Sequence, residues 1–299
     1  DSELWANAGI FKGTVFGNVG GNDKIASKFK LESLDNGNIN IAVNGAGKIA
    51  STADGIAMYY YRVPANSNFT ITAKATVNSF TSNDQVSFGL MARDDMYVDQ
   101  YINSTMGDYV AAGPLKLTKK DSVWNCFARK SGALTQGGTC ANEIKAGETY
   151  NLKIESNTDG YACTFGNEET ITGGFDFKLT SVDSEYVYVG MYVARSADVT
   201  FSDVKLVVDG KEITSAGEPE NPTPGEPENP TPGEPENPAP EQPAKPETPA
   251  EQPATDPVVS DNNGVETGDS YHMVWYIAAM TLTAGIACVE LKRKKTFDK

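Results

Sequence analysis

The chain has 299 residues, with 25 Lys+Arg against 40 Asp+Glu and a formal net charge of −15. No part of it carries a basic stripe, which excludes nucleic acid as a partner held by bulk charge. Its one histidine is His272, so the first 271 residues hold no imidazole for Ser-His-Asp or Cys-His nucleophile activation or for metal ligation.

Composition divides the chain into three parts. Residues 1–216 carry 19 Lys+Arg against 25 Asp+Glu, a net of −6. That length buries one sizeable core. Strand candidates at 38–43 and 56–61 come first. "NFTITAKATVNSF" then alternates cleanly, with Phe69, Ile71, Ala73, Ala75 and Val77 on one face and Thr70, Thr72, Lys74, Thr76 and Asn78 on the other. "QVSFGLMAR" follows with Val86, Phe88, Leu90 and Ala92 in phase. Further candidates lie at 109–112, 122–129, 149–155 and 161–165. "YVYVGMYVAR" sets Val187, Val189, Met191 and Val193 on one face, and "VTFSDVKLVV" alternates through a bulge at Ser202-Asp203. Asn/Gly/Asp turns separate these runs and no long amphipathic helix stands out. The pattern predicts an all-β head, an antiparallel sandwich over 1–216.

The chemistry of the head is sparse. The Glu-x-Asp-x-x-Glu strand motif that sets two carboxylates on one face of β-sandwich glucanases is absent. The acidic cluster "RDDMYVD" has two readings. Asp94, Asp95 and Asp99 are a candidate hard-cation site held by carboxylate oxygens, or a polar strand end with Arg93 paired to an Asp. In several strands the phase opposite the aliphatic one is aromatic or small: Tyr186, Tyr188, Gly190 and Tyr192; Ser87, Gly89, Met91 and Arg93; Tyr59 and Tyr61; Trp124. Two readings stand side by side. Tyr59, Tyr61, Arg93, Trp124, Tyr186, Tyr188 and Tyr192 form one accessible platform for sugar rings, approached closely beside the small residues. Alternatively, a loop or a third layer covers them. Cys126, Cys140 and Cys163 are an odd set without metal spacing. A Cys126–Cys140 hairpin bridge and three ordinary thiols are both open.

"GKIASTADGIAMYYYRVPANSNFTITAKATVNSF", "QVSFGLMARDD" and "YVGMYVARSADVTFSDVKL" together resemble a β-sandwich module attached to secreted polysaccharide-degrading enzymes of Gram-positive bacteria, pectate-lyase-type proteins among them. The resemblance covers roughly residues 5–208. It implies a jelly-roll or concanavalin A-like lectin/glucanase fold, glycan binding or accessory function, and calcium in some members. The lyase domain such modules accompany is absent from this chain. The expected function is therefore a non-catalytic carbohydrate-binding or adhesin head for a plant polysaccharide or a mucin-type host glycan. A protein-binding adhesin or scaffold, and a hydrolase or lyase of unfamiliar layout, are the alternatives.

Residues 217–263 form a linker. "GEPENPTPGEPENPTPGEPENPAP" is an eight-residue repeat, and 217–257 carry one Lys against ten acids. Proline removes donors and the Glu residues repel, so this segment stays extended and disordered, largely polyproline II. About 41 residues at about 3.1 Å each reach on the order of 120 Å. Residues 264–299 read as an anchor. Met273–Val289 is uncharged and suits a transmembrane helix over about 271–291, with Lys292, Arg293, Lys294 and Lys295 as a cytoplasmic stop. Gly264-Val265-Glu266-Thr267-Gly268 resembles a sortase-processed wall-sorting signal, with Gly264 and Val265 in place of the usual Leu and Pro. Transfer at Thr267–Gly268 to peptidoglycan and a plain membrane anchor both place the head outside the cell. An export signal ahead of Asp1 is then expected to have been removed.

Overall fold

The computed structural model describes residues 5–118, 123–139, 143–167 and 170–214. The linker, the 271–291 helix and Thr267–Gly268 lie outside the described residues. Among the described residues, no helix is long and apolar enough to cross a membrane.

The elements in chain order are β1 (Lys12–Gly17), α1 (Asn22–Lys28), β2 (Phe29–Ser33), β3 (Ile39–Ala46), β4 (Lys48–Ile49), β5 (Asp54–Pro64), β6 (Phe69–Phe80), β7 (Ser87–Arg93), β8 (Gln100–Tyr101), β9 (Tyr109–Leu115), β10 (Trp124–Lys130), β11 (Ala133–Thr139), β12 (Thr149–Ser156), β13 (Tyr161–Gly166), β14 (Thr170–Phe175), β15 (Tyr186–Val208) and β16 (Lys211–Glu212). The head is an antiparallel β-sandwich. Its first sheet runs β11-β10-β9-β7-β15-β5-β1-β8, with β4 against β5. Its second runs β14-β13-β12-β6-β15-β3-β2, with β16 against β15. Every pair is antiparallel except the short β1–β8 contact.

One strand serves both sheets. β15 is 23 residues long, beyond the usual 3–10. Tyr186–Ala194 pair with β5 and β7 in the first sheet, and Arg195–Val208 with β3 and β6 in the second. The crossing falls at Arg195, whose φ of 74° accompanies a register shift toward Ser196. The bulge expected at Ser202-Asp203 is present: the pairing to β6 skips from Ser202 to Lys205, and Asp203 has φ 52°.

The main core lies between the sheets. Tyr59, Phe88, Leu90, Val189 and Met191 from the first sheet meet Ile41, Ile71, Leu152, Phe165 and Phe201 from the second. β6 alternates as its sequence dictates, apolar inward and threonine outward. The first sheet also carries a second cluster on its outer face: Phe16, Met58, Tyr60, Met91, Tyr109, Phe127 and Tyr192, closed over by Met96, Tyr97, Ile102 and Met106 of the 94–108 loop. Hence β7 and β9 are buried at every position. Strands with two apolar faces lose the alternation that reveals their phase.

The glycines read as room for a flat ligand serve packing instead. A Cβ at Gly190 would lie 1.8 Å from the Tyr59 carbonyl oxygen, and one at Gly89 2.0 Å from that of Ala112. Neither neighbour is a side chain that can swing away. Gly190→Ala is therefore expected to destabilise the head by about 1–3 kcal/mol, seen as a lower denaturant midpoint. An unchanged midpoint would show that the β5–β15 spacing is looser than described. Cys126 and Cys163 are free, buried thiols, and Cys126 donates to the Cys163 carbonyl at 3.2 Å. The Cys126–Cys140 pairing involves Cys140, which lies outside the described residues. Burial pushes the Cys126 thiol up to about 12, so it carries no thiolate at neutral pH.

Candidate functional site

The seven residues read as one platform divide between the two faces of the first sheet. Tyr59 is fully buried between the sheets, and its hydroxyl donates to the Ala6 carbonyl at 2.9 Å. Tyr61 packs on the same core. Burial raises the Tyr59 phenol to about 12, with Glu32 adding to it. The phase inverts because Ile56, Met58 and Tyr60 on the outer face are as apolar as Ala57, Tyr59 and Val63 on the inner one. Tyr188, Tyr192, Trp124 and Arg93 do lie on the outer side. There Tyr192 is fully buried, its hydroxyl 2.6 Å from Ser87 Oγ, and Arg93 is fully buried too. A register irregularity between Trp124 and Cys126 turns Trp124 to the side of Phe127, although alternation opposes them. The accessible seven-residue platform is therefore not formed. The reading with a covering loop is the one the structure adopts.

The acidic cluster is a clasp. Arg93 donates through Nε (3.0 Å) and Nη2 (2.7 Å) to Asp95 Oδ1, while Gly107 N donates to Asp95 Oδ2 at 2.7 Å. The Arg93 guanidinium sits over the rings of Tyr109 and Phe16 at 4.9 and 5.2 Å. Asp94 accepts from Asp108 N at 2.7 Å, from Ser181 N at 3.0 Å and from Ser181 Oγ. Asp99 accepts from the Trp5 indole at 2.5 Å and from Val15 N at 3.3 Å. These three carboxylates do not make the expected cation site, because their oxygens are taken up by protein donors: Asp94 and Asp95 by the 107–108 backbone with Ser181 and Arg93, and Asp99 by Trp5 and Val15. Among the described residues, no group of three His, Cys, Asp or Glu is placed to hold a metal ion.

The clasp positions what remains open on this side. Asp183 N donates to the Asp94 carbonyl at 2.9 Å, which fixes the 181–185 segment at the entry to β15. Between this segment and the start of the 94–108 loop lies a cleft of about 410 Å³ lined by Asp95, Met96, Tyr97, Asp183, Glu185 and Tyr188. The Tyr188 hydroxyl donates to Asp183 Oδ2 at 2.7 Å, and its ring meets Tyr60 edge-on at 5.8 Å. Asp183 Oδ1 accepts from the backbone of Glu185 (2.8 Å) and Tyr186 (3.1 Å), the local bond that Asp makes at a strand entry. Beside them Arg62 lies over the Tyr186 ring at 4.7 Å. Burial alone would raise the Asp183 carboxyl. The bonds from Tyr188, Glu185 and Tyr186, with Arg62 nearby, outweigh it and hold the group below its ordinary 3.8. Burial and the Asp183 anion raise the Tyr188 phenol. At neutral pH the cleft thus presents two half-buried rings and a fixed anionic acceptor. That arrangement can stack and hydrogen-bond.

Of the expected residues, Asp95 and Tyr188 line this cleft, and the Tyr186 backbone N–H donates to Asp183 beside it. Asp183, Glu185, Tyr97 and Arg62 were not singled out. The signal for Asp183 was available: "VDSEY" has an Asp two and three residues ahead of backbone donors at a strand start.

Residues 11–105 match the family described as the pectate disaccharide-lyase N-terminal domain. This match falls inside the 5–208 segment that resembles modules of polysaccharide lyases. The chain is 38% identical over 181 residues to pectate lyase L of Thermoclostridium stercorarium, covering 59% of this chain and 13% of that protein. It is 26% identical over 224 residues to a pectate disaccharide-lyase of Dickeya chrysanthemi, covering 63% of this chain and 30% of that protein. The chain thus spans less than a third of the length of either relative. Similar solved structures include a carbohydrate-binding module (CBM66) from Bacillus subtilis, at TM-score 0.38 and 17% identity over 60% of this chain and 91% of that one. A winged bean acidic lectin complexed with methyl-α-D-galactose has TM-score 0.43 and 10% identity over 66% and 98%.

Proposed function

We propose that the head is a non-catalytic glycan-binding module, and that the cleft at Tyr97, Asp183 and Tyr188 holds a sugar ring. The observation that carries this reading is the Tyr188–Asp183 pair. A ring offers its face or edge to sugar C–H groups while an anchored carboxylate accepts from hydroxyls. The match of residues 11–105 to a lyase's N-terminal domain supports an accessory role beside polysaccharide. In the same proposal the linker 217–263 is a stalk and 264–299 a wall or membrane anchor, so the head works on the cell surface. Wall digests analysed by mass spectrometry then contain Thr267 joined to peptidoglycan if sortase acts; intact 264–299 in the membrane fraction selects the plain anchor.

The test of the head is a glycan array with the full chain, using plant and mucin glycans, followed by titration of the hits. Tyr97→Ala with Tyr188→Ala is expected to weaken binding at least tenfold, at about 1 kcal/mol per stacked ring. Because the folded Asp183 value lies below 3.8, its anion, and with it the binding, persists through pH 5 and fades only below 3.8. Binding unaffected by the double substitution rejects the cleft. Release of reducing or unsaturated products rejects the non-catalytic assignment, and capture of a protein partner that survives deglycosylation rejects the glycan.

A further inference from the structure

The chemistry of the Tyr188 cleft is one-sided. Asp95, Asp183 and Glu185 line it, and no lysine or arginine does. The three acids are not equivalent. Asp95 belongs to the clasp: Arg93 donates twice to its Oδ1, and Gly107 N donates to its Oδ2. A guanidinium buried beside it cancels its charge. Asp183 has no such counter-ion in contact. Its bonds come from neutral donors, the backbone of Glu185 and Tyr186 on Oδ1 and the Tyr188 hydroxyl on Oδ2. A carboxylate has about four acceptor positions, so Oδ2 keeps one for a ligand. Glu185, two residues on, is exposed. Among the described residues, no ion pair takes Asp183 or Glu185. The head thus holds two anions at one mouth and pairs neither.

These groups discriminate between classes of sugar. A carboxylated sugar brings more acceptors and a charge of the same sign, so it is repelled. A neutral sugar donates to the carboxylates but leaves both charges unpaired. A protonated amine brings about three donors, no acceptor and the opposite charge. The rings favour the same ligand, since a cation is attracted to a tyrosine face within about 6 Å of its centre. One such contact already exists beside the cleft, where Arg62 lies over the Tyr186 ring at 4.7 Å. Tyr97 and Tyr188 line the cleft itself, and Arg62 does not. A metal ion needs several carboxylate oxygens aimed at one point. Among the described residues, no group of three His, Cys, Asp or Glu is so placed.

We propose that the cleft selects an amino sugar, a hexose ring packed on Tyr97 and Tyr188 with its free, protonated amine held by Asp183 and Glu185. The inference rests on the glycan-binding reading of this cleft and narrows its ligand to one charge class. Sugars bearing carboxylates are excluded by the same two anions.

The experiment titrates the full chain at about pH 5, where aspartate and glutamate are ionised and a sugar amine is protonated. The probes are a short chitosan oligosaccharide and its fully N-acetylated counterpart, which has the same rings without the charge. The free-amine chain is expected to bind roughly tenfold more tightly, with a preference that shrinks as salt rises. A chain of net charge −15 attracts any polycation, so the substitutions decide rather than the preference alone. Asp183→Asn with Glu185→Gln is expected to bring the ratio of the two affinities close to one. Glu155→Gln, which removes the same charge from an exposed pair with Lys153 on the second sheet, should leave the ratio unchanged. Asp183 also ties down the entry to β15, so thermal unfolding checks each variant. The exposed Glu185→Gln alone, which should lower the ratio several-fold, carries the test if the double variant is unstable. Equal binding of the two chains, or a preference that survives the substitutions, overturns the amino-sugar selection and leaves the glycan reading intact. So does binding of neither chain while another glycan on the array binds. Absence of binding to any glycan overturns both. A lysine tripeptide that displaces the free-amine chain at equal amine concentration overturns the sugar in favour of a protein amine.

Discussion

Arg129→Met is expected to destabilise the head by about 3–5 kcal/mol, because it leaves a buried carboxylate without its partner. Arg129 and Asp54 are both fully buried. Arg129 Nε donates to Asp54 Oδ2 at 2.8 Å and Nη2 to Oδ1 at 3.0 Å, a forked pair. The same guanidinium donates to the carbonyls of Ala50 (2.6 Å), Ser51 (3.1 Å) and Gly132 (2.9 Å), and Tyr109 donates to Asp54 at 3.2 Å. One side chain thus ties the 50–54 turn, the end of β10 and the β10–β11 turn beneath the covering loop. The thermal midpoint should drop by on the order of 10 °C for a head of this size. Asp54→Leu combined with Arg129→Met should recover part of the loss, since the uncompensated charge is then gone. It should not recover all, since three carbonyls keep no donor. A loss under about 1 kcal/mol for Arg129→Met would mean that water reaches the pair.

Tyr59→Ala is expected to cost about 3–5 kcal/mol, as large aromatic truncations in a packed core do. Its ring fills the space between Trp5, Leu31 and the backbone of β1, as shown by how closely a Cβ at Gly13 would approach all three side chains. Tyr59→Phe should cost about 1 kcal/mol, the worth of the bond to Ala6. Neither change should alter glycan affinity in protein that remains folded. Denaturant midpoints and titrations run together separate the two effects. Lost affinity with an unchanged midpoint would return Tyr59 to a binding surface and contradict the packing described here.

The contrast between Tyr59 and Tyr188 shows where sequence reasoning held. Val187, Val189, Met191 and Val193 lie between the sheets as their alternation requires, which put Tyr186, Tyr188 and Tyr192 on the other side. β6 and the bulge at Ser202-Asp203 were equally legible, because one face of each strand meets water and the polar residues mark it. β5 was not. "GIAMYYYRV" is apolar in both phases, since the first sheet is covered on both faces, and a strand buried twice gives no sign of which face meets which core. Trp124 lies on the outer side with Tyr188 as expected, but a local irregularity that alternation does not register brings Phe127 to that side as well.

The all-β class, most of the strands and the antiparallel sandwich are legible in the chain before any contact is known, as is the lack of histidine in residues 1–216. These follow from local alternation, turn residues and composition, which the chain carries at every position. Long-range packing is what closes the 94–108 loop over the aromatic face, brings Ser181 to Asp94 and Trp5 to Asp99, and sets Tyr188 against Asp183. Contacts of that kind depend on which strands become neighbours and on where β15 passes from one sheet to the other. No local pattern encodes this, because the energy that fixes it comes from burying both faces of the first sheet at once.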